Sequence, residues 1–174
     1  VAGGIRRDIP EVGVQFLAGM TQMIVAGVDP LGAVQVSLLA GSPGFVEVLR
    51  PDLLRVQATP GPGDPLAGML GPRAPVGLLA LDPTTRTRVR LNGRVVSGEG
   101  GLTVELDEVF ANCPKYIRRR APSDPTSPPH GGGASSSTEL TPAQIDRLAR
   151  ADTFFIGTTD GGHGVDASHR GGPP

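Results

Sequence analysis

The sequence predicts an antiparallel β fold, a barrel or sandwich with short flanking helices, followed by the start of a second repeat. Three observations predict it. First, six or seven short apolar runs follow one another at regular spacing with turn residues between them and little helical periodicity. Second, the hydrophobic residues (38% of the chain) are almost all aliphatic, with five Phe, one Tyr and no Trp. Third, Leu17–Pro43 lies without a gap over Leu148–Pro174, 131 positions on. Leu17/Leu148, Ala18/Ala149, Asp29/Asp160, Val34/Val165, Ser37/Ser168, Gly41/Gly172 and Pro43/Pro174 are identical. A repeat of that length reads as a tandem duplication of a whole domain, since solenoid units are shorter.

Each element has its own signal. Residues 8–19 predict a short helix, with Asp8 as cap and Pro10 near the first helical position. Gln22–Val28, an Asp29–Gly32 turn and Ala33–Leu39 predict a hairpin. Gly44–Leu49 and Leu53–Ala58 are strands divided by Arg50-Pro51-Asp52, and Leu66–Leu70 reads as helix-like. Val76–Leu81 is a continuous apolar run, the pattern of a strand buried on both faces. In Arg86–Val96, Arg86, Arg88 and Arg90 point one way while Val89 and Leu91 point the other. Leu102–Val109 alternates again, and Pro114–Arg120 is a short basic helix or turn. Thr141-Pro142-Ala143-Gln144 forms a capping box that opens a helix over 142–151.

The organisation expected is a domain over 1–120, a linker over 121–139 and the N-terminal part of a second domain over 140–174. The stretch 121–138 is nearly pure Pro, Gly, Ser and Thr, too poor in apolar side chains to offset its ordering entropy. Val1 in place of Met and the stop inside the second copy read as a fragment at both ends.

Composition excludes several classes. Sixteen basic against seventeen acidic residues leave a net charge of −1, which favours neither nucleic acid nor an anionic membrane. One cysteine excludes an internal disulfide and a Cys-rich metal site, and fits a cytoplasmic compartment. The first residues show no basic n-region followed by an apolar h-region, and no apolar run here approaches membrane-spanning length, so a soluble protein is expected. Walker, GxGxxG, HExxH and GxSxG motifs are absent.

The stretch Val76–Val95 combines a buried strand, an Asp-Pro turn and an arginine-alternating strand ending in Asn-Gly. With Gln35–Gly41, Gly44-Phe45-Val46, Phe110–Arg118 and Val165–Gly172, it resembles the pyridoxamine 5′-phosphate oxidase superfamily of FMN-binding split barrels, in its tandem flavin-nucleotide-binding branch. The resemblance implies a six-stranded split barrel with FMN in the groove between two barrels, as a homodimer or an intramolecular pseudo-dimer. It implies a flavin-dependent oxidoreductase, acting with a small-molecule substrate or electron donor. Gln35 and Ala40 stand where phosphate-binding Arg and Lys are found in the true oxidases, so pyridoxamine phosphate is not the expected substrate.

On that resemblance Ser37, Leu38 and Leu39 line the isoalloxazine, and Arg88, Arg90, Asn92, Ser168, His169 and Arg170 are the polar contacts. Leu38 and Leu39 correspond to His169 and Arg170 in the repeat, apolar in one copy and cationic in the other, which implies one working flavin site and one degenerate one. Blander readings stand beside these. The arginines could form a solvated strand face, Asn92-Gly93 a simple bend, and Ser168–Gly172 a polar turn. Cys113 reads as a buried structural thiol, Lys115 and Arg118–Arg120 as a solvated helix end, and His130 and His163 as exposed loop residues. FMN is the expected cofactor, with another flavin or a deazaflavin as the alternative. The rivals are a non-catalytic flavin or small-ligand carrier and a truncated remnant that binds nothing. The chain alone is expected to bind FMN weakly and to self-associate, because its second hairpin has little core to cover it.

Overall fold

The computed structural model describes residues 4–111, 113–121, 137–161 and 164–172. The centre of the expected linker, His130 and His163 lie outside the described residues.

Helix α1 (Glu11–Ala18) begins at Pro10, whose extended backbone sets the entry without any side-chain cap, so Asp8 does not cap it. Seven strands follow: β1 (Gln22–Val28), β2 (Val34–Ala40), β3 (Val46–Arg50), β4 (Leu53–Val56), β5 (Pro75–Asp82), β6 (Thr87–Ser97) and β7 (Leu102–Ala111). They make one antiparallel sheet in the order β2-β1-β5-β6-β7-β4-β3. The sheet curls round a core of Met23, Val25, Leu39, Val46, Leu54, Val56, Leu78, Leu91 and Val104. Each such side chain contributes about 1.5–3 kcal/mol by leaving water. Edge strands β2 and β3 do not pair with each other, so the barrel is split. Its seven strands match the residue-by-residue reading, β3 and β4 dividing at Pro51-Asp52, and are one more than the six the resemblance implies.

Leu66–Leu70 forms turns and no helix. Asp64 Oδ1 accepts from the Leu66 amide at 2.8 Å, and Leu66 and Leu70 pack under Gly27 as a plug. At Asn92-Gly93 the register between β6 and β7 shifts. A Cβ on Gly93 would lie 2.0 Å from the Glu105 carbonyl oxygen, so only glycine allows that bulge. A 3₁₀ turn, Pro114–Tyr116, follows β7.

The last described elements are α2 (Pro142–Ala149), β8 (Thr153–Thr159) and β9 (Val165–Gly171). Their bounds are those of α1, β1 and β2 moved by 131 positions. The pairing moves with them: Val28↔Val34 becomes Thr159↔Val165, and Gln22↔Ala40 becomes Thr153↔Gly171. Both hairpin turns are held alike, Asp29 Oδ1 accepting from the Ala33 amide and Asp160 Oδ1 from the Gly164 amide. Thr141 and Gln144 form the reciprocal capping box.

The surroundings differ. Leu17 of α1 is fully buried, whereas its counterpart Leu148 on α2 is 49% exposed. The β8–β9 hairpin lies across the outer face of the first sheet, where Val165 and Ala167 join Ile24, Ala26 and Leu79 in a second core, flanked by Val28, Val36 and Leu81. One face of the hairpin is therefore covered, contrary to the expectation of a bare one. This docking buries β1 and β5 on both sides, which is why their sequences are unbroken apolar runs. Among the described residues no helix is long and apolar enough to cross a membrane.

Candidate ligand site

The site lies where β9 crosses β5 and β6. Alternation along β6 sends Val89 and Leu91 into or against the barrel core and Arg88, Arg90 and Asn92 outward. There they meet β9 and not water. Arg88, 8% exposed, directs Nη1 at His169 Nδ1 (2.9 Å), approaches the His169 carbonyl (3.4 Å) and donates through Nη2 to the Cys113 carbonyl (3.2 Å). Arg90 pairs with Asp166 Oδ2 at 3.0 Å. Asn92 Nδ2 donates to Asp166 Oδ1 (3.2 Å) and Glu108 Oε2 (3.1 Å), and the Ser168 hydroxyl donates to Asp166 Oδ2 (2.8 Å). Arg88 and Arg90 form a contact surface with β9, not a solvated face, while Arg86 lies in the turn before β6 and donates to the Pro114 carbonyl.

Of the nine expected residues, five converge here: Arg88, Arg90, Asn92, Ser168 and His169. Arg170, the next residue on β9, is exposed. On β2 the alternation separates the remaining three. Leu38 is 55% exposed on the groove side, while Leu39 is a core residue and buried Ser37 donates to Asp64 Oδ1. Ser37 and Leu39 thus face the barrel side and do not line the groove.

Electrostatics change the reading of His169. Burial, and then Arg88, Arg170 and Arg90, push its pKa down to about 4. The ring is neutral at neutral pH, so the repeat does not place a cation opposite Leu38. Burial and then Arg90 and Arg170 also lower the Arg88 pKa. Cys113, expected as a buried thiol, is exposed.

Two cavities flank this crossing. The larger, about 590 Å³, is walled by Asp107, Glu108, Asp160 and Asp166, with Arg7 the sole cation among its described residues. The smaller, about 220 Å³, lies between β1, β5 and the hairpin. Ile24, Leu38, Leu79, Leu81 and Phe155 give it apolar walls, with Gln22, His169, Arg118 and Arg120 as polar members. Arg118 donates to the Gly172 carbonyl at 3.2 Å, and Arg120 pairs with Asp152. Among the described residues no cluster of His, Cys, Asp or Glu is placed to hold a metal.

Sequence reasoning missed Asp166, Phe155, Gln22, Arg118 and Arg120. Asp166 had a usable signal: three outward arginines on a sheet strand, if covered, need an acceptor, and Asp166 sits in the same segment as Ser168 and His169. Arg118 and Arg120 lay in a run whose solvated-end reading had no local feature against it.

No family model matches the chain, and no curated protein does. Among solved structures it is similar to a candidate pyridoxamine 5′-phosphate oxidase from Lactobacillus delbrueckii. The identity is 21%, the match covers 61% of this chain and 96% of that one, and the TM-score is 0.44.

Proposed function

We propose that the chain is a flavin-binding split-barrel protein taking FMN, with flavin-dependent oxidoreductase activity of the pyridoxamine 5′-phosphate oxidase-like class. The observation that supports this best is the smaller cavity, an apolar slot with two arginines beside it. Ligand sites of this kind combine apolar walls with a few placed polar groups. At about 220 Å³ it lies below the roughly 300–1,000 Å³ of whole-ligand pockets. It would take the ring end of a flavin and leave the phosphate near Arg118 and Arg120, where guanidinium groups favour an anion. The acidic cavity would repel that phosphate. In this reading the docked hairpin stands in for the second subunit of a dimer, and the cofactor carries the electron chemistry.

A non-catalytic flavin carrier is the second reading. It is favoured by the lack, among the described residues, of a free acid or base in the slot, since His169 is neutral and its Nδ1 is engaged by Arg88. The test is the absorbance spectrum of the purified chain after FMN is added and excess removed, followed by NAD(P)H oxidation. Flavin bands at one equivalent per chain support binding, and turnover separates enzyme from carrier. A colourless protein overturns both readings.

A further inference from the structure

We infer that Arg88 locks His169 as its Nε2–H tautomer, making the histidine a neutral hydrogen-bond donor into the smaller cavity. The group it would recognise is a carbonyl oxygen or an unprotonated ring nitrogen on a planar ligand, not an anion. The inference rests on the flavin reading only for the choice of probe.

The chemistry of the pair leaves one arrangement. A guanidinium carries five N–H donors and no acceptor, and it stays charged. Arg88 Nη1 stands 2.9 Å from His169 Nδ1, so Nδ1 must offer a lone pair. In a neutral imidazole the proton is then on Nε2. Protonating Nδ1 as well would set N–H against N–H beside a fixed cation.

Neither partner is free to rearrange. Arg88 is held from its other side by the Cys113 carbonyl and is buried. The His169 ring is 3% exposed and stacks at a tilt on Phe155, with centroids 5.9 Å apart. Gly171 leaves room for the ring's far edge, since a Cβ there would lie 2.7 Å from Cε1 and 3.0 Å from Nε2. The charged groups around the ring are Arg88 and Arg90 from β6 and Arg170 from β9, all cations, and each disfavours imidazolium.

What remains is Nε2. Among the described residues it has no hydrogen-bond partner, and it is not one of the sealed orphan atoms, which are Arg86 Nε, Arg88 Nε, Arg90 Nε and Asn92 Oδ1. His169 lines the cavity beside Leu38, Leu79 and Phe155. An unpaired donor beside these apolar side chains rewards an acceptor strongly, because a ligand lacking one leaves the N–H unpaired. His169 and Arg170, expected together as polar flavin contacts, are separated by this assignment.

The experiment uses the full chain. Long-range ¹H–¹⁵N correlation at neutral pH should show a protonated, pyrrole-type Nε2 and a pyridine-type Nδ1 for His169. A protonated Nδ1, or averaging between tautomers, would overturn the lock. In titrations with riboflavin and FMN, His169→Leu should weaken both about tenfold. His169→Gln, which keeps an N–H donor, should retain most of the affinity. A loss for FMN alone would make His169 a phosphate contact and overturn the inference. If the wild-type chain binds neither flavin, the flavin reading falls, and the tautomer spectrum decides the donor assignment by itself.

Discussion

Gly77 of β5 and Ala167 of β9 lie backbone against backbone, so close that a Cβ on Gly77 would fall 2.6 Å from the Ala167 amide nitrogen. The Asp166 backbone is as near, at 2.7 Å. This contact seats β9 at the depth where Asp166 meets Arg90 and His169 meets Arg88. Gly157 does the same for β8, since a Cβ there would meet Val34, Val36 and Ala26.

Gly77→Val should therefore undock the hairpin while sparing the barrel. Overpacking of this kind costs about 1–3 kcal/mol. Hydrogen exchange is the check: amides over 153–171 should lose protection, and those of β6 and β7 should keep it. Unchanged protection in the hairpin would mean that β9 is held by something other than this contact.

Asp166 is the one carboxylate that both Arg90 and Asn92 reach, and Arg90 is only 14% exposed at its side chain. Asp166→Ala leaves that guanidinium without its counter-ion, which costs about 3–5 kcal/mol for a buried pair. The low end is expected here, because the Asp166 side chain keeps 23% of its exposure. Urea denaturation measures the loss. Adding Arg90→Leu to Asp166→Ala should recover part of the stability, and full additivity of the two losses would refute the coupling.

The stability of the chain should fall as pH drops from about 6.5 to about 4. His169 has a folded pKa of about 4 against an ordinary 6.5, so the unfolded chain binds the extra proton across that window. Its contribution is complete above about pH 6.5 and lost toward pH 4. At about 1.4 kcal/mol per pKa unit, the gap between 6.5 and about 4 is worth up to about 3.5 kcal/mol. Melting temperatures of wild type and His169→Leu over this range are the check, and the variant should show the shallower dependence. Parallel curves would exclude His169 as the source.

Much of this molecule could be read from sequence because its signals are local. The repeat offset anticipated a helix end followed by two paired strands, which are α2, β8 and β9, and the apolar run of β5 announced burial on both faces. Other features depend on contacts made far along the chain. Nothing around Leu66 says that it plugs the barrel beneath Gly27, and so prefers turns to a helix. Ser37, Leu38 and Leu39 were grouped as one lining, but strand alternation sends Leu38 to the groove and its two neighbours inward. His169 looked cationic because its partners Arg88 and Arg90 lie about eighty residues earlier, where only the fold brings them together.

Exposed Cys113 offers an inexpensive check on the region below the site. A maleimide should label the native chain at one position at a rate close to that of the unfolded chain. Strong native-state protection would place the thiol elsewhere, and with it the carbonyl that holds Arg88.

Fluorescence titration of FMN with wild type and Leu38→Trp tests the central claim most directly. Leu38 is 55% exposed and lines the smaller cavity, so tryptophan there should fill the slot without disturbing the core. The expected result is saturable quenching at one FMN per wild-type chain, weakened at least about tenfold in the variant. Wild type that does not quench FMN, or a variant that binds as well as wild type, would contradict flavin binding in this groove.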